Sequence, residues 1–69
     1  MPHIAVSMYP GRDRDTKEAL AKKLEELVSQ ELNVDKKYVS VSIEDVAKDH
    51  WKERMSQIPE DLMFVHPDY

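Results

Sequence analysis

The sequence predicts an α/β protein (α+β by some schemes) made of a single β-α-β unit. Three observations predict it. Residues His3 to Tyr9 alternate apolar and polar, which is the period of a half-buried strand. From about Asp15 to Leu32 apolar side chains recur at helical spacing. Tyr38 to about Val46 alternates again. Strand, helix and strand in that order read as one crossover unit, right-handed, with parallel strands. A short C-terminal helical segment comes next, and residues 1–69 are expected to form one domain.

Each element has its own reason. In the first strand Ile4, Val6 and Met8 point one way, and His3, Ala5, Ser7 and Tyr9 the other. Pro10-Gly11 ends it with a turn signal, and Gly11 is the only glycine in the chain. Asp13 or Asp15 can cap the next helix, and Asp15 with Glu18 has capping-box spacing. Leu20, Leu24, Leu27, Val28 and Leu32 form its apolar stripe. Asn33 is the expected stop, with Val34 to Lys37 as the connection. Val39, Val41 and Ile43 face one side of the second strand, and Ser40, Ser42 and Glu44 the other. A loop over Ala47 to Trp51 leads to a short helix from Trp51 to about Gln57, with Asp49 as its cap. Ile58-Pro59 breaks that helix, and Pro59-Glu60-Asp61 starts another turn.

Composition narrows the function. A chain of 69 residues buries a limited core and usually needs disulfides, a metal or oligomerisation. With no Cys, disulfides and thiolate zinc sites are excluded, and His3, His50 and His66 show no ligand spacing. Oligomerisation remains. Two strands leave open edges and a bare face, and Ala5, Ser7, Ser40 and Ser42 are small enough for another subunit to pack there. A homo-oligomer is expected, a dimer at least, completing the sheet. The net charge of −4, with both signs interspersed, argues against nucleic-acid and anionic-membrane partners. No transmembrane run or signal pattern is visible, so a soluble cytoplasmic protein is expected.

The chemistry concentrates at Met1-Pro2. Methionine is normally trimmed before a small residue. Removal of Met1 would turn the Pro2 ring nitrogen into a free secondary amine. An α-amino group has a reference pKa of about 7.7–8.0, and burial or a nearby cation lowers an amine further. Such an amine is a general base for neutral pH. A strand that starts directly after Pro2 would hold it in place, where termini are otherwise loose. With Met1 attached, the nitrogen is a peptide nitrogen and the chemistry is absent. Arg12 comes just after the turn, where its side chain could reach back over the sheet end. Trp51 comes after the second strand and could roof a pocket beside Pro2.

Taken in order, Met1-Pro2 opening a strand, Gly11-Arg12 at its end, the helix Thr16–Leu32, the strand Val39–Ile43 and Val46-Ala47-Lys48-Asp49-His50-Trp51 resemble the tautomerase superfamily, specifically the 4-oxalocrotonate tautomerase family. The resemblance runs without gaps from Pro2 to about Trp51. The ending Trp51…Pro59…Pro67-Asp68-Tyr69 looks more like the dimeric bacterial phenylpyruvate-type tautomerases than the hexameric type, so the resemblance favours a dimer, while the gap-free core match permits a hexamer built as three dimers. The resemblance implies Pro2 as general base and then acid, Arg12 as the grip on a substrate carboxylate, and Trp51 as the aromatic that keeps the pocket apolar. The family's second arginine falls at Ser40, a departure that removes one of two cationic anchors. Arg14, Arg54 or a neighbouring subunit are the candidate substitutes.

The expected function is therefore a cofactor-free tautomerase, with Pro2 catalytic and Arg12 and Trp51 binding substrate. The expected substrate is a small 2-hydroxy-2,4-dienoate or the enol of a 2-keto acid. With one anchor, a monocarboxylate such as phenylenolpyruvate is favoured over a dicarboxylate. Two alternatives stand beside it. One is a non-catalytic oligomeric scaffold that kept the fold. The other is a hydrolytic dehalogenase, for which Glu44 and Asp45 are the candidate water-activating carboxylates.

Overall fold

The computed structural model describes residues 1–69. Strand β1 (His3–Met8) is succeeded by helix α1 (Arg14–Leu32), strand β2 (Ser40–Asp45) and helix α2 (Trp51–Ser56). The two strands pair in parallel, with His3 opposite Ser40, Val6 opposite Ile43 and Met8 opposite Asp45. This is the expected β-α-β unit. Because the register is in phase, each directly opposed pair of residues shares a face. Ile4, Val6, Val41 and Ile43 are half-buried, while His3, Ala5, Ser40, Ser42 and Glu44 are exposed on the other face.

The ends of α1 are chemically explicit. Asp13, not Asp15, is the cap: its carboxylate accepts from the Thr16 N–H at 2.8 Å. Asp13 precedes the helix in extended backbone, the geometry a cap requires, whereas Asp15 already lies in the first turn. Hydrogen bonds from Thr16 hold the Asp13 carboxyl below the usual carboxylate range. Asn33 ends the helix in the left-handed region, at φ 55°, and its N–H reaches the Ser29 and Gln30 carbonyls. The covered side of α1 is Leu20, Ala21, Leu24 and Val28, with Ser29 buried and its hydroxyl donating to the Glu26 carbonyl at 2.9 Å. Leu27 and Leu32, expected in the stripe, are 52% and 59% exposed. Leu27 sits at the rim of the covered arc and Leu32 is the last helical residue.

The connections are more ordered than the sequence suggested. Lys36–Tyr38 forms a 3-10 turn capped by Asp35, which shortens the second strand to Ser40–Asp45. Lys48–His50 forms another where a loop was expected. Asp49 lies inside that turn and does not cap α2; no side chain does. A further turn covers Glu60–Leu62, as Pro59-Glu60-Asp61 predicts. No helix is long and apolar enough to cross a membrane.

Only two residues, Ser29 and Val46, are buried. Val46 donates its N–H to the Met8 carbonyl at 2.8 Å, closing the end of the sheet. In the tail, Phe64 and Val65 are 91% and 84% exposed.

Candidate active site

Pro2 lies half-buried at the start of β1. Its carbonyl accepts from the Ser40 N–H at 3.2 Å, so it is held to the sheet by its C=O. Proline has no backbone N–H to contribute, and its ring nitrogen is left out of the sheet's hydrogen bonding. Met1 hangs off it, 96% exposed.

Next to Pro2 on the bare sheet face, His3 bridges two serines of β2. Its Nδ1 is 2.7 Å from the Ser40 hydroxyl and its Nε2 is 3.0 Å from the Ser42 hydroxyl. A hydroxyl donates or accepts, so either imidazole tautomer is satisfied. Ser40 thus holds a polar bridge where a second arginine would stand. Further along this face Glu44 accepts from the Ser7 hydroxyl at 2.8 Å and from Arg54 at 2.9 Å.

Arg12 and Trp51 meet at the other end of the sheet. They line an open groove of about 950 Å³ with Tyr9, Lys48, Lys52 and Met55. Met63 and Tyr69 return from the tail to its wall. Gly11 lets the chain turn into it: φ is +129°, a backbone that residues with a side chain rarely adopt. Tyr9 and Trp51 pack edge to face, with ring centroids 5.1 Å apart and planes at 87°. Lys48 Nζ sits 5.8 Å from the Tyr9 ring centroid, within cation–π range.

The chain therefore divides the predicted site. Arg12 and Trp51 share one groove, and Pro2 is not among its lining residues. Parallel strands point the same way, so residues just before β1 lie at the opposite end of the sheet from residues just after β1 or β2. Six strand residues separate the two ends, about 20 Å at ~3.3 Å per residue. A pocket with Trp51 beside Pro2 does not form within one chain.

The candidate replacements for the second arginine also resolve. Arg14 is 90% exposed and pairs loosely with Glu18 at 3.7 Å. Arg54 is committed to Glu44. The dehalogenase carboxylates are likewise engaged, Glu44 by Arg54 and Asp45 by Lys17 at 2.8 Å. Sequence reading missed Lys48, Lys52 and Tyr9. The available signal was the i,i+4 spacing of two lysines around Trp51.

Comparison with known proteins agrees with this architecture. The family model described as tautomerase enzyme matches residues 2–52. A probable tautomerase of Bacillus cereus is 35% identical over 51 residues, covering 74% of this chain and 84% of that protein. A probable tautomerase of Bacillus anthracis matches with the same identity and coverage.

Proposed function

The chain belongs to the tautomerase family of isomerase enzymes, and on that premise we propose that it ketonises a small carboxylate-bearing enol with the Pro2 amine, once Met1 is removed. The neutral ring nitrogen takes the enol hydroxyl proton. The O–H electrons become the carbonyl, the carbon–carbon double bond shifts, and the protonated amine returns a proton to carbon. Pro2 ends the cycle as it began, and no redox change occurs.

One observation carries the reading: Pro2 is clamped through its carbonyl to Ser40, leaving the nitrogen free of structural duty. A fixed base saves the entropy of positioning it in the transition state. Arg12 supplies the carboxylate grip, since a guanidinium binds a carboxylate with two parallel hydrogen bonds. The Tyr9–Trp51 pair supplies the apolar wall.

Because one chain keeps Pro2 and Arg12 about 20 Å apart along the sheet, a small substrate can touch both only if they come from different subunits. The working site is then a composite, with Pro2 from one subunit and Arg12 and Trp51 from another. The bare sheet face, the exposed Leu27 and Leu32 and the tail residues Phe64 and Val65 are surfaces a second copy would cover. We take the assembly as a homodimer at least, on the resemblance of the tail. The substrate is an enol of a 2-keto acid or a 2-hydroxy-2,4-dienoate, and phenylenolpyruvate is the first probe.

The test begins with the intact mass of untagged protein, expected to be short by one methionine. Pro2→Ala should then lower enol ketonisation by roughly 10²–10⁴-fold, the usual worth of a general base. Equal rates for the variant and the wild type would overturn the proposal.

A further inference from the structure

Beside Pro2 the chain holds a polarised hydroxyl proton that nothing in it uses. The chain has five serines, Ser7, Ser29, Ser40, Ser42 and Ser56. Ser7 donates to the Glu44 carboxylate at 2.8 Å, Ser29 to the Glu26 carbonyl at 2.9 Å and Ser56 to the Glu53 carbonyl at 2.6 Å. The Ser40 and Ser42 hydroxyls meet only the His3 ring, 2.7 Å from Nδ1 and 3.0 Å from Nε2. A neutral imidazole has one N–H donor and one acceptor nitrogen. It takes the proton of one serine and donates its own to the other. In either tautomer one hydroxyl proton of the pair is left over, on the serine that accepts from the ring. Accepting polarises that serine, so its outward O–H is a better donor than a lone hydroxyl. His3, Ser40 and Ser42 are all exposed, so the leftover donor is open to a ligand. Ser40 is the nearer of the two to the base. It stands opposite His3, and its N–H holds the Pro2 carbonyl at 3.2 Å, whereas Ser42 stands opposite Ala5.

We propose that Ser40 is a further catalytic residue, a hydrogen-bond donor to the substrate oxygen at which the carbonyl forms, and that His3 is the positioning residue that fixes and polarises it. The proposal rests on Pro2 as the base and deepens that reading. As the Pro2 amine takes the enol hydroxyl proton, negative charge builds on the enol oxygen before the carbonyl is complete. The Ser40 O–H stabilises that charge and keeps its own proton, so the proton count of the cycle is unchanged. A donor fixed beforehand needs no reorganisation at the moment the charge appears. The tautomer that serves has Nδ1–H donating to Ser40 and the Ser42 hydroxyl donating to Nε2. Ser42 thus acts indirectly, by holding the ring in that tautomer. Donor and base come from one chain, and the Arg12 grip comes from the second subunit of the composite site.

The test uses untagged, Met1-trimmed protein with phenylenolpyruvate as the probe. Substitutions on this exposed face leave no buried cavity, and thermal melts check that each variant folds. Ser40→Ala keeps the backbone clamp on Pro2 and removes only the hydroxyl. It should lower kcat about tenfold, the scale of one hydrogen bond. KM should stay within about twofold, because the bond strengthens only as charge develops. His3→Phe keeps a ring but loses both serine bonds, and kcat should fall by about three- to tenfold. His3→Gln should restore kcat to within about twofold of wild type, since one amide carries both an acceptor and a donor. A purely structural strap would lower Tm and leave kcat and KM unmoved. Wild-type kcat in Ser40→Ala, a loss that falls wholly in KM, or a His3→Gln variant as slow as His3→Phe overturns the proposal. The two readings fail separately. Pro2→Ala as active as wild type, with kcat still lost in Ser40→Ala, sinks the base and leaves the donor standing. Activity lost in Pro2→Ala but unchanged in Ser40→Ala sinks the donor alone.

Discussion

The two ends of the sheet are built to different rules. At the start of β1, Pro2 is gripped by a backbone hydrogen bond, and its neighbour His3 is satisfied by two serines. The Pro2 nitrogen, which the proposed chemistry needs, is the group left out of this bonding. At the far end, Arg12, Lys48 and Lys52 are unpaired around an aromatic wall. On the proposed function, one end holds a base still and the other receives an anion. A chain this small can carry all parts of a site without carrying a site. In the proposed composite site the parts become neighbours when subunits assemble.

Complementation puts that division of labour at greatest risk. Pro2→Ala homo-oligomers should be nearly inactive and Arg12→Ala homo-oligomers strongly impaired. Unfolded together and co-refolded, they should regain a substantial fraction of wild-type activity, because mixed assemblies contain intact composite sites. Assay of the mixture against each parent decides it; no recovery would mean that both residues act from one chain. Next in size is Arg12→Ala alone. Losing a charge-assisted pair worth ~1.5–3 kcal/mol should lower kcat/KM by about 10–150-fold, with most of the change in KM if the grip is equal in ground and transition states. Steady-state kinetics reads the split.

A smaller effect is expected from Gly11→Ala. Nothing crowds the added carbon, so the penalty is the φ of +129° alone. Relief of that strain moves Arg12, so the variant should raise KM more than it lowers Tm, with Pro2-dependent chemistry intact. The smallest effect is Asp13→Ala. Its carboxyl is held below the ordinary range by Thr16, so its contribution to α1 is present above the unfolded pKa of about 3.9. It is lost as pH falls through the lower folded value. Thermal melts of variant and wild type should differ at pH 7 and converge toward pH 2.

Much of the fold was legible because period decides it. Ile4, Val6, Val41 and Ile43 declare a two-residue repeat, and Leu20, Leu24 and Val28 a helical one. The cap was narrowed to Asp13 or Asp15 but not chosen, since choosing needs backbone angles. The 3-10 turns at Lys36–Tyr38 and Lys48–His50 carry no period in three residues and were not legible. Pro2, Arg12 and Trp51 were singled out by chemistry and by resemblance. Their separation was hidden, because linear order does not state which end of a parallel sheet a residue occupies. Lys48 and Lys52 were not singled out in the sequence; the fold brings them to the groove beside Arg12 and Trp51.

The clamp on Pro2 also bears on maturation. The bond that fixes it uses the carbonyl, and the peptide bond to Met1 uses the nitrogen. Excising Met1 therefore removes no hydrogen bond from the sheet, so cut and uncut chains are expected to share one fold. An uncut chain is then a competent building block with a blocked base. It would assemble with trimmed partners, lend them its Arg12 and Trp51, and silence only the site its own Pro2 should serve. Specific activity would rise in direct proportion to the trimmed fraction, making the aminopeptidase a dimmer on this enzyme rather than an on–off gate.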